Sequence, residues 1–309
     1  PHVTGYADGQ SAPTPEDIDF TPGELLGCVS GALGLRPYCE ANGHELVVTS
    51  DKDGDGCEME KHLADADIVI SQPFFPFYLT EERMKMAPNL KMAITAGIGS
   101  DHVDLQGAID RNIDVTEVTF CNSISVAEHV VMQILGLVRN YIPSYQHVVN
   151  GGWNIADCVS RSYDVEQMKV GTVAAGRIGL AVLRRMAPFG CELHYCDRHR
   201  LPAAVEKELN LTYHANVEDM VPLMDVVTIN CPLHPETEHL FDAAMLNTMK
   251  RGAYIVNTAR GKICDRDAIS DSLKSGHLAG YAGDVWFPQP PPEDHPWRTM
   301  PHHAMTPHI

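Results

Sequence analysis

Apolar residues fall into two alternating rhythms along most of the chain. From about Leu25, stretches of helical spacing alternate with short β-branched runs: LVVTS (Leu46 to Ser50), DIVISQ (Asp67 to Gln72), KMAITAG (Lys91 to Gly97) and IDVTEV (Ile113 to Val118). Runs of this length bounded by turn residues predict strands, and the alternation predicts βα units on a parallel sheet. A longer stretch, SVAEHVVMQILGLVRNYI, has the period of a helix. Ser125 is expected to cap it, with Glu128 three residues on completing a capping box. This helix is expected to connect two halves. After the loop NGGWNIADCVS a second series follows: MKVGTVA, ELHYCD, LTYHA, DVVTINC, AYIVNTA and LAGYAGDV, each leading into a helix or a turn-rich loop. The economical reading is an α/β protein of two doubly wound domains with parallel sheets and an interdomain cleft, residues 1–122 and 123–309.

The opening PHVTGYADGQSAPTPEDIDFTPG breaks the rhythm. Rich in Pro, Gly and polar residues, it is expected to wrap a surface rather than build a core. With no initiator Met ahead of it, the chain reads as a fragment.

Composition narrows the class. At 309 residues, with 44% hydrophobic and 21% charged side chains, the chain can bury two ordinary globular cores. The run VVMQILGLV is too short to cross a bilayer and no basic-then-apolar signal opens the chain, so a cytoplasmic place is expected. Nine cysteines without CxxC spacing are expected to be reduced and mostly buried. A formal charge of −18, from 23 basic against 41 acidic residues, disfavours nucleic acid as a partner. An anionic ligand would need a locally positive site.

Candidate chemistry begins at KVGTVAAGRIGLAVLRRM. An apolar run meets Ala174, Ala175, Gly176, Arg177, Ile178 and Gly179, and an amphipathic stretch follows. In a Rossmann-like domain Gly176 would let the backbone approach a pyrophosphate, Gly179 would let helix and strand pack closely, and the helix N-terminus would supply N–H groups. Ala174 takes the first glycine position, a departure from the motif. The next run ends in Asp197, about 20 residues on, where a carboxylate suits an adenosine ribose diol and repels a 2′-phosphate. That favours NAD over NADP; the alternative is a glycine turn without a nucleotide. His194, Cys196 and His199 cluster nearby, but no second ligand set completes a tetrahedron, so no metal is expected.

Downstream, VNTARGK places Arg260 at the carboxyl edge of a parallel sheet, where such folds bind ligands. Its planar guanidinium suits a carboxylate. Read alone, a surface salt bridge explains it too.

TAGIGSDHVDL, FCNSISVAEHVV, GTVAAGRIG, NCPLHPETEHL, VNTARGK, GDVWFPQP and HPWRTMPHHAMTPHI together resemble the NAD-dependent formate dehydrogenases of the D-2-hydroxy acid dehydrogenase superfamily, over nearly the whole chain. The resemblance implies formate oxidation to carbon dioxide with NAD as acceptor, by homodimers and without metal. Residues 1–122 would then be the substrate domain, lacking an N-terminal strand and a C-terminal return segment, and residues 123–309 the NAD domain. It implies that Arg260, Asn122 and the Ile98 backbone hold formate, with Pro73 and Phe74 walling the pocket. His308 would flank the reacting carbon and Gln289 would hydrogen-bond it. Asp284 would grip the nicotinamide carboxamide near Thr258; Arg177 and Ile178 would meet the pyrophosphate. Ser123 and the turn Pro232, Leu233, His234 would complete the cofactor wall. Singly, Asn122 reads equally as a helix cap, His308 as a surface histidine, Asp284 as a strand end, and the Phe-Pro run as a small hydrophobic cluster.

One position separates substrates by mechanism. Enzymes of this superfamily that reduce 2-oxo acids pair the histidine with a glutamate, which stabilises imidazolium and makes a general acid. Here the partner is the neutral Gln289. Formate losing hydride has no proton to move, so acid–base catalysis is not needed. The alternatives are a D-2-hydroxy acid dehydrogenase acting as a 2-oxo acid reductase, and a non-catalytic NAD(H)-sensing corepressor of the same fold. The proline-rich run Phe287 to Trp297 is expected to be a semi-rigid arm holding Gln289, rather than a linker or a docking peptide.

Overall fold

The structure is a computed structural model describing residues 35–119 and 122–309. The opening segment expected to wrap a surface lies outside the described residues. The chain divides into two compact units between Thr119 and Phe120.

In unit 1, three of the four expected runs form strands: β1 (Ile68–Ser71), β2 (Met92–Thr95) and β3 (Asp114–Glu117), parallel and in that order. Helices α1 (Leu35–Ala41), α2 (Glu58–Lys61), α3 (Glu81–Lys85) and α4 (Leu105–Asp110) accompany them. Thr80 and Asp104 cap α3 and α4 by accepting from Arg83 N and Gly107 N, worth about 1 kcal/mol each. Leu63, Val69, Phe77, Leu79, Met84 and Ala93 form the core. The fourth run, Leu46 to Ser50, is not a strand. Val47 and Val48 are exposed, and among the described residues no strand pairs with them. β-branching favours a strand only where a neighbour takes up its N–H and C=O groups.

Unit 2 is one seven-stranded parallel sheet in the order β6-β5-β4-β7-β8-β9-β10. The strands are β4 (Lys169–Val173), β5 (Glu192–Cys196), β6 (Thr212–His214), β7 (Val226–Ile229), β8 (Ala253–Asn257), β9 (Leu278–Gly283) and β10 (His303–Met305). Its helices are α5 (Ser123–Val138), α6 (Tyr141–Val149), α7 (Ile155–Val159), α8 (Arg177–Met186), α9 (Ala203–Leu209), α10 (Val217–Met220), α11 (Ala243–Thr248) and α12 (Arg266–Lys274). Both sheet faces are covered, and the two-residue period sends neighbours to opposite cores. Val226, Tyr254 and Val256 join α5 and α8 on one face; Val227, Ile255, Tyr281 and Trp297 pack on the other. The strand order reverses between β4 and β7, which makes their carboxyl ends the expected ligand edge.

The long helix starts earlier than its sequence suggests. Ser123 is its first residue, Asn122 occupies the N-cap position without a capping side-chain bond, and Ser125 lies inside the first turn. Glu128 does not close a capping box: its carboxylate accepts from Arg185 Nη2 on α8 at 3.0 Å. Packing of α5 on α8 offers it a cation, a stronger partner than a backbone N–H.

Candidate active site

The turn from β4 to α8 has the geometry that the motif reading expects of a nucleotide cradle. Ala174 adopts φ +71°, a left-handed conformation costing an L-residue about 1–2 kcal/mol. Its neighbours hold it there. Ala174 N donates to Cys196 O at 2.8 Å, and Thr172 Oγ1 donates to Ala174 O at 2.8 Å. The first glycine of the motif is thus replaced without loss of the turn. Gly176 has open space where a Cβ would project, and α8 begins behind it with no side-chain cap, the arrangement in which a helix start can take an anion. Asp197 is half-buried, and its carboxylate accepts from Ala175 N and His199 N, both at 2.8 Å. It therefore braces the turn.

At Gly179 a Cβ would collide with Ala174 O. Gly179→Ala is expected to force α8 from β4 at about 1–3 kcal/mol, lowering the thermal midpoint by about 5 °C; an unchanged midpoint in calorimetry would deny the close contact.

Asn257 shapes the next piece. Fully buried at the end of β8, it accepts from Ala259 N at 3.0 Å through Oδ1 and donates to Arg260 O at 2.9 Å through Nδ2. That folds the chain into a turn that presents Arg260 at the sheet edge, with Nη1 donating to Ala259 O at 2.7 Å. Gly261 lies so close to the backbone of Trp286 that a Cβ would sit 2.7 Å from its carbonyl oxygen. The absent side chain brings the proline-rich arm against the arginine turn. Thr258 Oγ1 and Asn122 Oδ1 are buried and have no hydrogen-bond partner among the described residues, as polar atoms awaiting a ligand would be.

The arm is stapled along its length. Arg298 donates to Pro291 O and Pro292 O, both at 2.8 Å, and Trp286 Nε1 donates to Thr306 O at 2.8 Å. Gln289 then meets His308: its Nε2 lies 2.7 Å from Nδ1, while its Oε1 accepts from Trp286 N at 3.3 Å. The Trp286 N–H fixes the amide's orientation, leaving only N–H groups to face the histidine. His308 Nδ1 must accept, so the ring proton is on Nε2 and the imidazole is neutral in this contact.

Asp284, just beyond β9, is buried, and its Oδ1 accepts from Thr306 Oγ1 at 2.6 Å and Ile309 N at 3.0 Å. The Pro232 to His234 turn is closed by Thr237, whose hydroxyl accepts from His234 N and donates to Pro232 O, both at 2.8 Å. Ser123, buried, opens α5 beside Asn122. In unit 1, Pro73 packs on Gly97, next to Ile98, at the carboxyl ends of β1 and β2. Phe74 follows Pro73, and Lys52 lies over the Phe75 ring.

His194 belongs elsewhere: its Nδ1 faces His214 Nε2 at 3.0 Å, and burial, then His214, push its pKa down to about 4. The broad concavity lined by Arg161, Met168, Gly252 and Leu278 lies at the opposite, amino edge of the sheet and contains none of the candidate site residues. Asn257 and Gly261, which aim Arg260, were not singled out from sequence; the signal was their place on either side of it in NTARG.

A parallel sheet with a phosphate-type turn at its switch point is the architecture of dinucleotide-dependent dehydrogenases. Residues 131–309 match the D-isomer specific 2-hydroxyacid dehydrogenase, NAD binding domain, family. The chain is 71% identical over 309 residues, all of it, to the formate dehydrogenase of Pseudomonas sp. (strain 101), covering 77% of that protein. It is also similar to a solved formate dehydrogenase of Granulicella m. (TM-score 0.90, 65% identity, covering 100% of this chain and 82% of that one). A solved NAD-dependent formate dehydrogenase from Staphylococcus aureus in complex with NAD gives a TM-score of 0.85 at 45% identity, covering 95% of this chain and 86% of that one. The chain belongs to the D-isomer specific 2-hydroxyacid dehydrogenase family, among its formate dehydrogenases.

Proposed function

We propose that the chain oxidises formate to carbon dioxide with NAD, and that the residues gathered at the carboxyl edge of the unit 2 sheet do the work. The C–H bond of formate breaks, its electron pair leaves with the hydrogen as hydride, and neutral carbon dioxide remains. Bound NAD supplies the hydride acceptor. Gly176, Arg177 and Ile178 hold its pyrophosphate on the α8 N-terminus. Gly179 and Ala174 keep that turn, Asp197 faces the ribose, and Ser123, Thr258, Asp284 and the Pro232 to His234 turn line the rest. Arg260 and Asn122 hold the formate carboxylate, with His308 beside the reacting carbon. In unit 1 the reading gives the Ile98 backbone, Pro73 and Phe74 to the substrate.

One observation carries this reading over 2-oxo acid reduction: the contact of Gln289 Nε2 with His308 Nδ1. An amide donor there opposes imidazolium, so the site is built to orient an anion rather than deliver a proton. NADH absorbance on mixing formate with NAD tests it, repeated in reverse with glyoxylate and pyruvate. Comparable turnover of the 2-oxo acids would overturn it.

Two further parts concern setting. The enzyme works as a homodimer: Tyr141, Tyr145, Val148, Val149, Trp153 and Ile155 are exposed, Trp153 to 89%. The stretch from Tyr141 to Val159 holds a single acid, Asp157, and no Lys or Arg. In a chain of charge −18, this is a face on which two copies meet without mutual repulsion. Sedimentation should give a dimer mass and Trp153→Lys should lower it; a monomeric parent protein would refute the pairing. The enzyme is cytoplasmic, a reading supported by seven free cysteines among the described residues. Burial pushes the Cys196 and Cys231 thiols up to about 11, away from reactivity. Among the described residues no helix is long and apolar enough to cross a membrane.

A further inference from the structure

The Asp284 carboxylate is the most enclosed acid at the site, and side chains from α5 surround its partners. Its side chain is 6% exposed, so the charge needs hydrogen-bond donors. Thr306 Oγ1, at 2.6 Å from Oδ1, is in the range of a charge-assisted hydroxyl bond. A hydroxyl has one proton, and this contact takes it in preference to the longer one to Gly283 O at 3.2 Å, so toward the nitrogens of His129 and Gln133 the Thr306 oxygen accepts. His129 Nε2 lies 3.0 Å from that oxygen and 3.7 Å from Asp284 Oδ1. Gln133, one helical turn beyond His129, donates from Nε2 to Gly283 O at 3.2 Å; this nitrogen also lies 3.0 Å from His129 Nε2, a contact that is no hydrogen bond once the His129 proton is given to Thr306. Gly283 immediately precedes Asp284. Two polar side chains at i and i+4 on α5 thus reach the end of β9 and the acid behind it.

The same helix carries Asn122 at its start. Positions 122, 129 and 133 fall within one stripe, since seven residues are close to two full turns. The apolar stripe, Ala127, Val130, Ile134 and Val138, is completely buried, which fixes the helix's rotation. A single rigid element therefore carries a substrate-side amide and the group behind the nicotinamide-side carboxylate.

Resting on the reading of Asp284 as the nicotinamide ligand, we propose that His129 is a positioning residue. Through Thr306 it fixes the Asp284 carboxylate for the nicotinamide carboxamide, while leaving the adenosine half of the cofactor site untouched. It touches neither substrate nor cofactor.

The test compares two probes on the whole protein: NAD, and ADP-ribose, which lacks the nicotinamide. In His129→Leu and Thr306→Val, the NAD dissociation constant should rise about tenfold, the size of one charge-assisted hydrogen bond. kcat should fall with it, while ADP-ribose binding stays within about twofold of the parent. His129→Gln, which restores an amide donor toward Thr306, should recover most of the loss. Asp284→Ala, measured alongside, should show the same selective loss more strongly. If the histidine and threonine variants weaken both probes equally, the cluster only supports the fold and the proposal fails. If Asp284→Ala loses NAD selectively and His129→Leu does not, the reading of Asp284 stands and the role of His129 is refuted. If Asp284→Ala weakens NAD no more than ADP-ribose, the reading of Asp284 falls and the proposal with it.

Discussion

Arg260→Ala should lower kcat/KM for formate by about a thousandfold while NAD binding stays within a few-fold. Removing one preorganised donor from a charge-stabilising site costs about 10²–10³ in rate, and arginine offers a bidentate pair together with a full charge. Its aim is set by the chain around it: Asn257 ties down the turn from both sides, and Gly261 admits the arm carrying Gln289. None of those contacts needs the guanidinium, so the alanine variant should keep its fold. Arg260→Lys sharpens the expectation. A point charge on a flexible stem keeps the attraction but loses the planar fork, so about a tenth of the lost activity or less should return. Steady-state kinetics with formate, NADH fluorescence for cofactor binding and a thermal midpoint together decide it. A collapsed midpoint would mean that Arg260 is chiefly a structural ion-pairing residue, and an unchanged kcat/KM would remove it from the substrate site.

The parts of this arrangement that were legible in the sequence are those where a period or a spacing carries the physics. Strands β4, β5, β7, β8 and β9 stood out because each is a β-branched or apolar run largely buried on both faces. The glycine turn was legible because Gly176 and Gly179 keep the spacing that close backbone approach demands. Ala174, read from sequence as a departure from the motif, keeps the turn through a left-handed backbone held by Thr172 and the β5 carbonyl. β10 gave little signal: His303, Ala304 and Met305 include no β-branched residue, and the strand pairs on one side only, along β9. Leu46 to Ser50 looked like a strand but has no pairing neighbour among the described residues.

The His129 cluster was hidden for a different reason. Its members are neighbours only after the sheet is assembled, since Thr306 comes from the far end of unit 2. What the sequence did hold was a clue at helical spacing, His129 and Gln133 one turn apart and separated only by the apolar Val130, Val131 and Met132. A buried polar pair on such a helix implies partners that local pattern cannot name.

Gln289→Glu should impair formate oxidation by about a hundredfold near neutral pH, and the loss should depend on pH in a definite sense. A unit charge about 6–8 Å from a second one costs about 2–3 kcal/mol at an effective dielectric constant near 20. The change also reverses the logic of the His308 contact. The parent amide presents N–H groups to Nδ1, so the ring accepts and stays neutral; a carboxylate presents only lone pairs, so the ring must donate, and its protonated form is stabilised. In the variant the His308 pKa is therefore raised. Below that raised value imidazolium and carboxylate cancel, the site carries no net added charge, and formate oxidation should partly recover. Above it the histidine is neutral, the carboxylate stands alone beside an anionic substrate, and activity should fall. The parent protein, with a neutral amide at position 289, should show no such slope over the same range. The same protonated pair is a general acid, so reduction of glyoxylate by NADH should become measurable in the variant at the acid end. Formate and glyoxylate kinetics across pH test both halves, and formate kinetics unchanged from the parent at every pH would show that the neutrality of Gln289 has no part in the choice of substrate.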